Sequence, residues 1–278
     1  VYNKESDVIS TQTDDITVAA GKTETISQSV DVANPKLWSV DSPNLYWVRT
    51  EIIQNGKVVD RTDSRFGIRY IATNPNSGFY LNGVHTKLNG VCEHSDLGSL
   101  GMETYQAAVD RRIRTLKKYG VNAIRTSHNP VSPEFIEACD RLGMLVFEEA
   151  FDQWLYSKNS DDYHNYFNKA ADGKTVVFDK AGNDNTNNDT SYIEVKREDL
   201  QSNAERDIKA MVDRDKNAPC IFAWSTGNEI YDARYKHGEN TLDMLTGWIK
   251  EIDTTRPVAA CPPTWDNYWA NNAQQEKH

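Results

Sequence analysis

Cys220-Ile221-Phe222-Ala223-Trp224-Ser225-Thr226-Gly227-Asn228-Glu229-Ile230 decides how this chain is read. A short apolar run ends in a turn of small residues, and the turn presents an amide beside a carboxylate. In a parallel α/β barrel the loops after the strands build the active site, so a polar pair at such a strand end points to chemistry. A carboxylic acid set among apolar and aromatic neighbours holds its proton nearer neutral pH and can serve as a general acid. An Asn-Glu pair in isolation reads as an ordinary polar turn. The rest of the chain supplies the context that changes this.

On either side of that stretch the same unit of strand, loop and helix repeats. Residues 87–91 read as a first strand, and 103–119 as an amphipathic helix with Tyr105, Val109, Ile113 and Leu116 on one face. A second strand follows at 123–125, then a helix at 133–142 with Pro133 in its first turn. Residues 145–147 form a third strand ending in Glu148-Glu149, and 198–214 a helix with Leu200, Ala204, Ile208 and Met211 along one side. After the strand at 221–224 come a helix at 241–252 and a fifth strand at 257–260. Strands alternating with helices predict a parallel α/β architecture. About five such units leave a barrel of roughly eight incomplete, with strand edges that invite self-association into a homo-oligomer.

Before residue 75 the pattern differs. Alternating runs at 16–18, 25–30, 45–52 and 57–60 are separated by Ala20-Gly21-Lys22, Asn34-Pro35, Ser42-Pro43-Asn44 and Asn55-Gly56. Period-two patterning with an Asn-Gly hairpin signal predicts antiparallel strands of a β-sandwich. About four or five strands fit, fewer than the roughly seven of an immunoglobulin-like domain. The expected organisation is an incomplete immunoglobulin-like sandwich over 1–74 and the N-terminal part of a (β/α)8 domain over 75–278. The first residue is Val1 rather than Met, which reads as a piece of a longer protein.

Composition bounds the function. A net charge of -10 argues against a nucleic-acid partner, which needs a basic face. No stretch approaches the ~20 apolar residues of a membrane span, and the N-terminus lacks the basic region and apolar run of a signal peptide. Cys92, Cys139, Cys220 and Cys261 show no metal-ligand spacing and read as small buried hydrophobes. No cofactor or metal site is expected. The polar insert at 156–192 contains Gly182-Asn183-Asp184-Asn185-Thr186-Asn187-Asn188-Asp189-Thr190. An EF-hand needs Gly at its sixth position and Glu at its twelfth, and neither falls in register here. A rim loop beside the site is the preferred reading.

Several motifs carry a family likeness. Gly90-Val91-Cys92-Glu93-His94-Ser95-Asp96-Leu97-Gly98, Ile124-Arg125-Thr126-Ser127-His128-Asn129-Pro130, Glu149-Ala150-Phe151-Asp152-Gln153-Trp154 and Asp213-Arg214-Asp215-Lys216-Asn217-Ala218-Pro219 precede Trp224-Ser225-Thr226-Gly227-Asn228-Glu229. In that order they resemble the family 2 glycoside hydrolases, in particular the bacterial β-galactosidase branch. The likeness extends forward to 255–261 and back to Pro35-Lys36-Leu37-Trp38-Ser39 and Phe66-Gly67-Ile68-Arg69.

The resemblance implies retaining hydrolysis of a β-galactoside or oligosaccharide by paired carboxyl groups. It gives Glu229 the acid/base role and Asn228 a hydrogen bond to the sugar 2-hydroxyl. It also makes His128 a sugar contact and Arg125 a residue that orients carboxylates. Asp152 and Trp154 become lining residues of the third-strand loop, and His94 and Asp96 a first-loop pair near the pocket. Each has a plainer alternative: a core or capping His128, a structural ion pair for Arg125, and a loop packed on its own aromatics for Asp152 and Trp154. Ser95 departs from the branch, which usually has a second His there. The family's nucleophilic Glu lies on a later strand than this chain reaches, so the chain alone is expected to be inactive.

Three readings compete: a family 2 glycosidase, a non-catalytic sugar-binding or adhesion module, and another barrel enzyme with a late phosphate loop. The sugar stays open among β-galactoside, β-glucuronide and β-mannoside. The compartment stays open between the cytoplasm and a bacterial secreted or cell-surface location.

Overall fold

The computed structural model describes residues 1–154, 158, 202–234 and 236–259. The chain divides into two compact units, 1–86 with 217–219 and 87–216 with 220–278.

In the first unit β1 (Tyr2–Asn3), β2 (Tyr46–Gln54) and β3 (Lys57–Phe66) form an antiparallel sheet in that order. Asn55 and Gly56 link β2 to β3 with φ of 52° and 72°. Two left-handed residues match the right-handed twist of the flanking strands, which is why this dipeptide signals a hairpin. A second antiparallel sheet holds β4 (Ile71–Asn74), β5 (Gly78–Leu81) and β6 (Val84–His85). Trp38 is fully buried, and Leu45, Tyr46, Phe79 and Leu81 are also buried. The expected strands at 16–18 and 25–30 do not form. Their alternation needs a sheet face to bury the apolar members, and no strand pairs with them among the described residues. Ile16, Val18, Ile26 and Val30 consequently stay exposed.

The second unit follows the repeat read from the sequence: β7 (Gly90–His94), α1 (Gln106–Lys118), β8 (Ala123–Ser127), α2 (Pro133–Leu142), β9 (Leu145–Glu149), α3 (Asn203–Asp215), β10 (Ile221–Ser225), α4 (Lys236–Lys250) and β11 (Val258–Ala259). The five strands lie in the order β11-β10-β9-β8-β7, and every neighbouring pair is parallel. This is the opening part of a (β/α)8 barrel. Pairings such as His94 with Ser127 and Ser225 with Glu149 bring the carboxyl ends of the strands together.

Local chemistry explains the helix limits. Ser132 caps α2 by accepting from the Phe135 N–H, Pro133 opens it, and Gly143 in the left-handed region closes it. Ser202 accepts from the Glu205 N–H and starts α3 at 203; the expected helical residues 198–201, Leu200 among them, lie outside the described residues. On α1, Val109 and Ile113 are buried, whereas Tyr105 is exposed and precedes the helix. Helix α4 begins at 236, earlier than the expected 241.

Two buried polar clusters brace the sheet. Asp253 accepts from Trp224 Nε1 at 2.8 Å, Arg256 Nη1 at 2.6 Å and Thr255 Oγ1 at 2.6 Å. Burial alone raises its carboxyl, but these bonds and the Arg256 charge bring it down to about 2. Glu148 points toward α3, where Arg214 Nη2 lies 3.3 Å from its Oε1 and also bonds Asp215. Burial, then the charge of Asp215, pushes Glu148 well above the usual carboxylate range, with Arg214 opposing.

The cysteines divide. Cys139 and Cys220 are buried, and burial pushes both thiols up, but Cys92 is exposed. It lies on β7 with its Sγ 3.8 Å from Arg125 Nη1, a strand face open to solvent rather than packed under a helix. Cys261 lies outside the described residues, as does the 156–192 insert apart from Lys158.

Candidate active site

Period-two geometry sends successive strand residues to opposite faces, so the two acids ending β9 part company. Glu148 meets Arg214 of α3, whereas Glu149 meets residues of the neighbouring strands. Glu149 is fully buried. Its Oε2 accepts from Arg125 Nη2 at 2.7 Å, Arg125 Nε at 3.1 Å and Ser225 Oγ at 2.7 Å. Its Oε1 lies 2.7 Å from His128 Nδ1, and its backbone N–H donates to Thr126 Oγ1 at 2.9 Å. A buried carboxylate needs this density of donors to offset its lost hydration.

The network continues to the Asn-Glu turn. Arg125 Nη2 donates to Asn228 Oδ1 at 2.9 Å, and Asn228 Nδ2 donates to Asp152 Oδ1 at 2.9 Å. With its oxygen facing a guanidinium and one N–H facing a carboxylate, the amide has a single consistent orientation. What Asn228 retains for a ligand is its second Nδ2 hydrogen. Asp152 is about half exposed and accepts from Lys158 Nζ at 2.8 Å. Burial raises its carboxyl, but hydrogen bonds from Lys158 and Asn228, with the charges of Lys158 and His128, hold it below the usual carboxylate range. Lys158 Nζ also donates to the Asn228 carbonyl at 2.7 Å.

Arg125, His128, Asp152 and Asn228 are thus joined side chain to side chain, with Glu149 as the link to His128 and Lys158 bonded to Asp152. Glu229 follows Asn228 with φ of 44° and is exposed. Its side chain is thus exposed rather than enclosed by the apolar neighbours expected for it; Trp154 is buried and bonded to the Thr226 carbonyl of the turn, and Trp224 packs with Asp253 and Arg256. His94 joins the group through its ring, edge-on to His128 at 5.3 Å between centroids.

Two expected lining residues behave otherwise. Trp154 is completely buried, so it offers no face to a sugar; its Nε1 donates to the Thr226 carbonyl at 2.7 Å and supports the turn from below. A Cβ on Gly227 would stand 2.9 Å from that Nε1 and would collide with Ile230 Cδ1, so the floor admits only glycine without movement. Asp96 serves its own loop, its Oδ1 accepting from the Gly98 N–H at 3.1 Å. Among the described residues no group of three or more His, Cys, Asp or Glu side chains is arranged to hold a metal ion, and no helix is long and apolar enough to cross a membrane.

Sequence reading did not assign Glu149, Ser225 or Lys158 to the site. Glu149 carried a signal, since a carboxylate ending an otherwise apolar buried strand needs a partner. Lys158 carried none, being one polar residue in a polar insert.

Comparison with known proteins shows the family. Residues 74–273 match "Glycosyl hydrolases family 2, TIM barrel domain", and residues 1–69 match "Glycosyl hydrolases family 2". The chain therefore belongs to the family 2 glycosyl hydrolases. Beta-galactosidase BoGH2A of Bacteroides ovatus is 34% identical over 272 residues, covering 87% of this chain and 28% of that protein. A putative beta-glucuronidase of Formosa agariphila is 36% identical over 230 residues, covering 83% of this chain and 18% of that protein. The crystal structure of a family 2 member from Bacteroides cellulosilyticus aligns with TM-score 0.71 at 38% identity, over 85% of this chain and 26% of that one. The chain spans less than a third of each of these relatives.

Proposed function

We propose that these residues form the acid/base side of a retaining β-galactosidase site, with Glu229 as the general acid/base. The observation that carries this is the locked amide of Asn228 beside the exposed Glu229 carboxyl, at the carboxyl end of β10. On this reading the remaining Asn228 N–H meets the sugar 2-hydroxyl, a bond that strengthens as the anomeric carbon gains positive charge. Glu229 gives its proton to the glycosidic oxygen as the C–O bond breaks. It then takes a proton from the water that releases the sugar from the glycosyl-enzyme. His128, whose Nδ1 faces Glu149, presents Nε2 to a sugar hydroxyl.

The carboxylate that attacks the anomeric carbon belongs, by the family resemblance, to a later strand. The 278-residue chain alone is accordingly expected not to turn over a nitrophenyl β-galactoside. A neutral sugar is favoured because Asp152, held ionised, would repel a carboxylate placed against it. A β-glucuronide is the second reading, favoured by the Formosa agariphila relative.

The test is Glu229→Gln in the complete protein that includes these residues. In kcat/KM, which reports the first step, it should cost far more on alkyl β-galactosides than on aryl ones with acidic leaving groups, which need little protonation. Equal losses on both would rule out the acid/base role, and preference for nitrophenyl β-glucuronide over the galactoside would select the second reading.

A further inference from the structure

We propose that Lys158 is a positioning residue that clamps the Asn228–Glu229 turn and thereby aims the acid/base carboxyl. This rests on Glu229 being that acid/base. Lys158 reaches the dipeptide twice. Its Nζ donates directly to the Asn228 carbonyl at 2.7 Å, and it donates to Asp152 Oδ1 at 2.8 Å, the same oxygen that accepts from the Asn228 amide at 2.9 Å. The Lys158 side chain is only 14% exposed, so its ammonium is spent inside the site rather than in solvent. Its own backbone N–H donates to Gln153 Oε1 at 2.8 Å, which ties the lysine to the loop that carries Asp152.

The peptide that the ammonium grips is the one immediately before Glu229, and Glu229 holds φ at 44°. A non-glycine residue keeps such a left-handed conformation only when its surroundings over-determine it. Trp154 and Ile230 fill the space around Gly227 on one side of the turn. Lys158 supplies the hold at the next carbonyl. Without it the Asn228–Glu229 peptide is free to rotate toward an ordinary conformation, which changes the direction in which the Glu229 side chain leaves the turn.

Two effects should follow from its loss. Asn228 loses part of its orientation, though Arg125 still holds its oxygen, and this lowers the rate on every substrate. Glu229 loses its aim, and in kcat/KM, which reports the first step alone, this lowers the rate only where the leaving group needs a proton. The second effect is diagnostic, because a merely structural lysine would not produce a dependence on leaving-group acidity.

In the complete protein, kcat/KM is measured for β-galactosides graded from dinitrophenyl to methyl, in wild type, Lys158→Met, Lys158→Arg and Glu229→Gln. A hydrogen bond from a charged group implies that Lys158→Met falls roughly 10- to 100-fold on methyl β-galactoside, mostly in kcat, and several-fold less on the dinitrophenyl substrate. Lys158→Arg, which keeps the cation, should recover part of the loss. Should Lys158→Met fail to fold, Lys158→Gln replaces it and is read the same way. A uniform loss or no loss in the lysine variants, beside a graded loss in Glu229→Gln, overturns the clamp and leaves the acid/base reading intact. A uniform loss in Glu229→Gln removes the acid/base reading, and the clamp with it.

Discussion

His128 Nδ1 stands 2.7 Å from Glu149 Oε1, and both belong to the carboxyl ends of adjacent parallel strands. The carboxylate selects the tautomer with hydrogen on Nδ1, which leaves Nε2 for whatever enters the site. The same carboxylate holds Arg125, and Arg125 orients the Asn228 amide, so one buried acid governs three groups.

Glu149→Gln should therefore harm function more than any single substitution at His94 or Asp96. The amide keeps the shape but removes the charge that pairs with Arg125 and replaces an acceptor with a donor. In the complete protein, misplacing several site groups at once should cost on the order of 100-fold in kcat/KM on a nitrophenyl β-galactoside. Circular dichroism should show the fold retained, and a loss smaller than about threefold would contradict the hub role.

Gly227→Ala should disturb the turn by overpacking. The added methyl must displace the Ile230 side chain or the Trp154 indole, at a cost of roughly 1–3 kcal/mol. Combining it with Ile230→Ala makes room on one side. If steric conflict is the cause, thermal melts should show the double variant losing less than the sum of the two single changes.

Asp253→Asn should lower stability at neutral pH. A carboxyl brought from 3.8 to about 2 in the folded chain contributes about 2 kcal/mol once both states are ionised. Because the folded value is the lower one, that contribution is present above 3.8 and lost as pH falls through about 2. Wild type and variant should thus melt far apart at pH 7 and converge toward pH 2. A gap that stays constant with pH would assign the effect to packing against Trp224.

Glu148→Gln should act in the opposite sense. Here the folded value lies above the ordinary 4.5, so wild type is most favoured with the acid protonated and loses stability as pH rises above 4.5. The amide resembles the protonated acid and escapes that loss. The variant should melt higher than wild type at pH 7 and show no advantage below pH 4.5. A lower melting point at pH 7 would mean that the pair with Arg214 outweighs the burial of charge.

Local pattern alone determined the order of elements in the second unit, the hairpin at Asn55-Gly56 and the ends of α2, because each depends on neighbours in the chain. The family resemblance, with the rule that loops after parallel strands share an end of the sheet, led to the expectation that Arg125, His128, Asp152, Asn228 and Glu229 converge, and the first four are joined by hydrogen bonds, His128 to Arg125 through Glu149. The alternating runs at 16–18 and 25–30 misled for a physical reason. Strand patterning states a willingness to pair, whereas pairing needs a partner surface that no single segment contains.

Tertiary structure decided the rest. Which of Glu148 and Glu149 entered the site depended on the face each took on β9. Only packing put Trp154 beneath the turn instead of against a sugar. Lys158 reached Asn228 across 70 positions of sequence. Composition and periodicity describe residues near one another along the chain. The chemistry of this site comes from hydrogen bonds between residues that only the folded sheet brings within 3 Å.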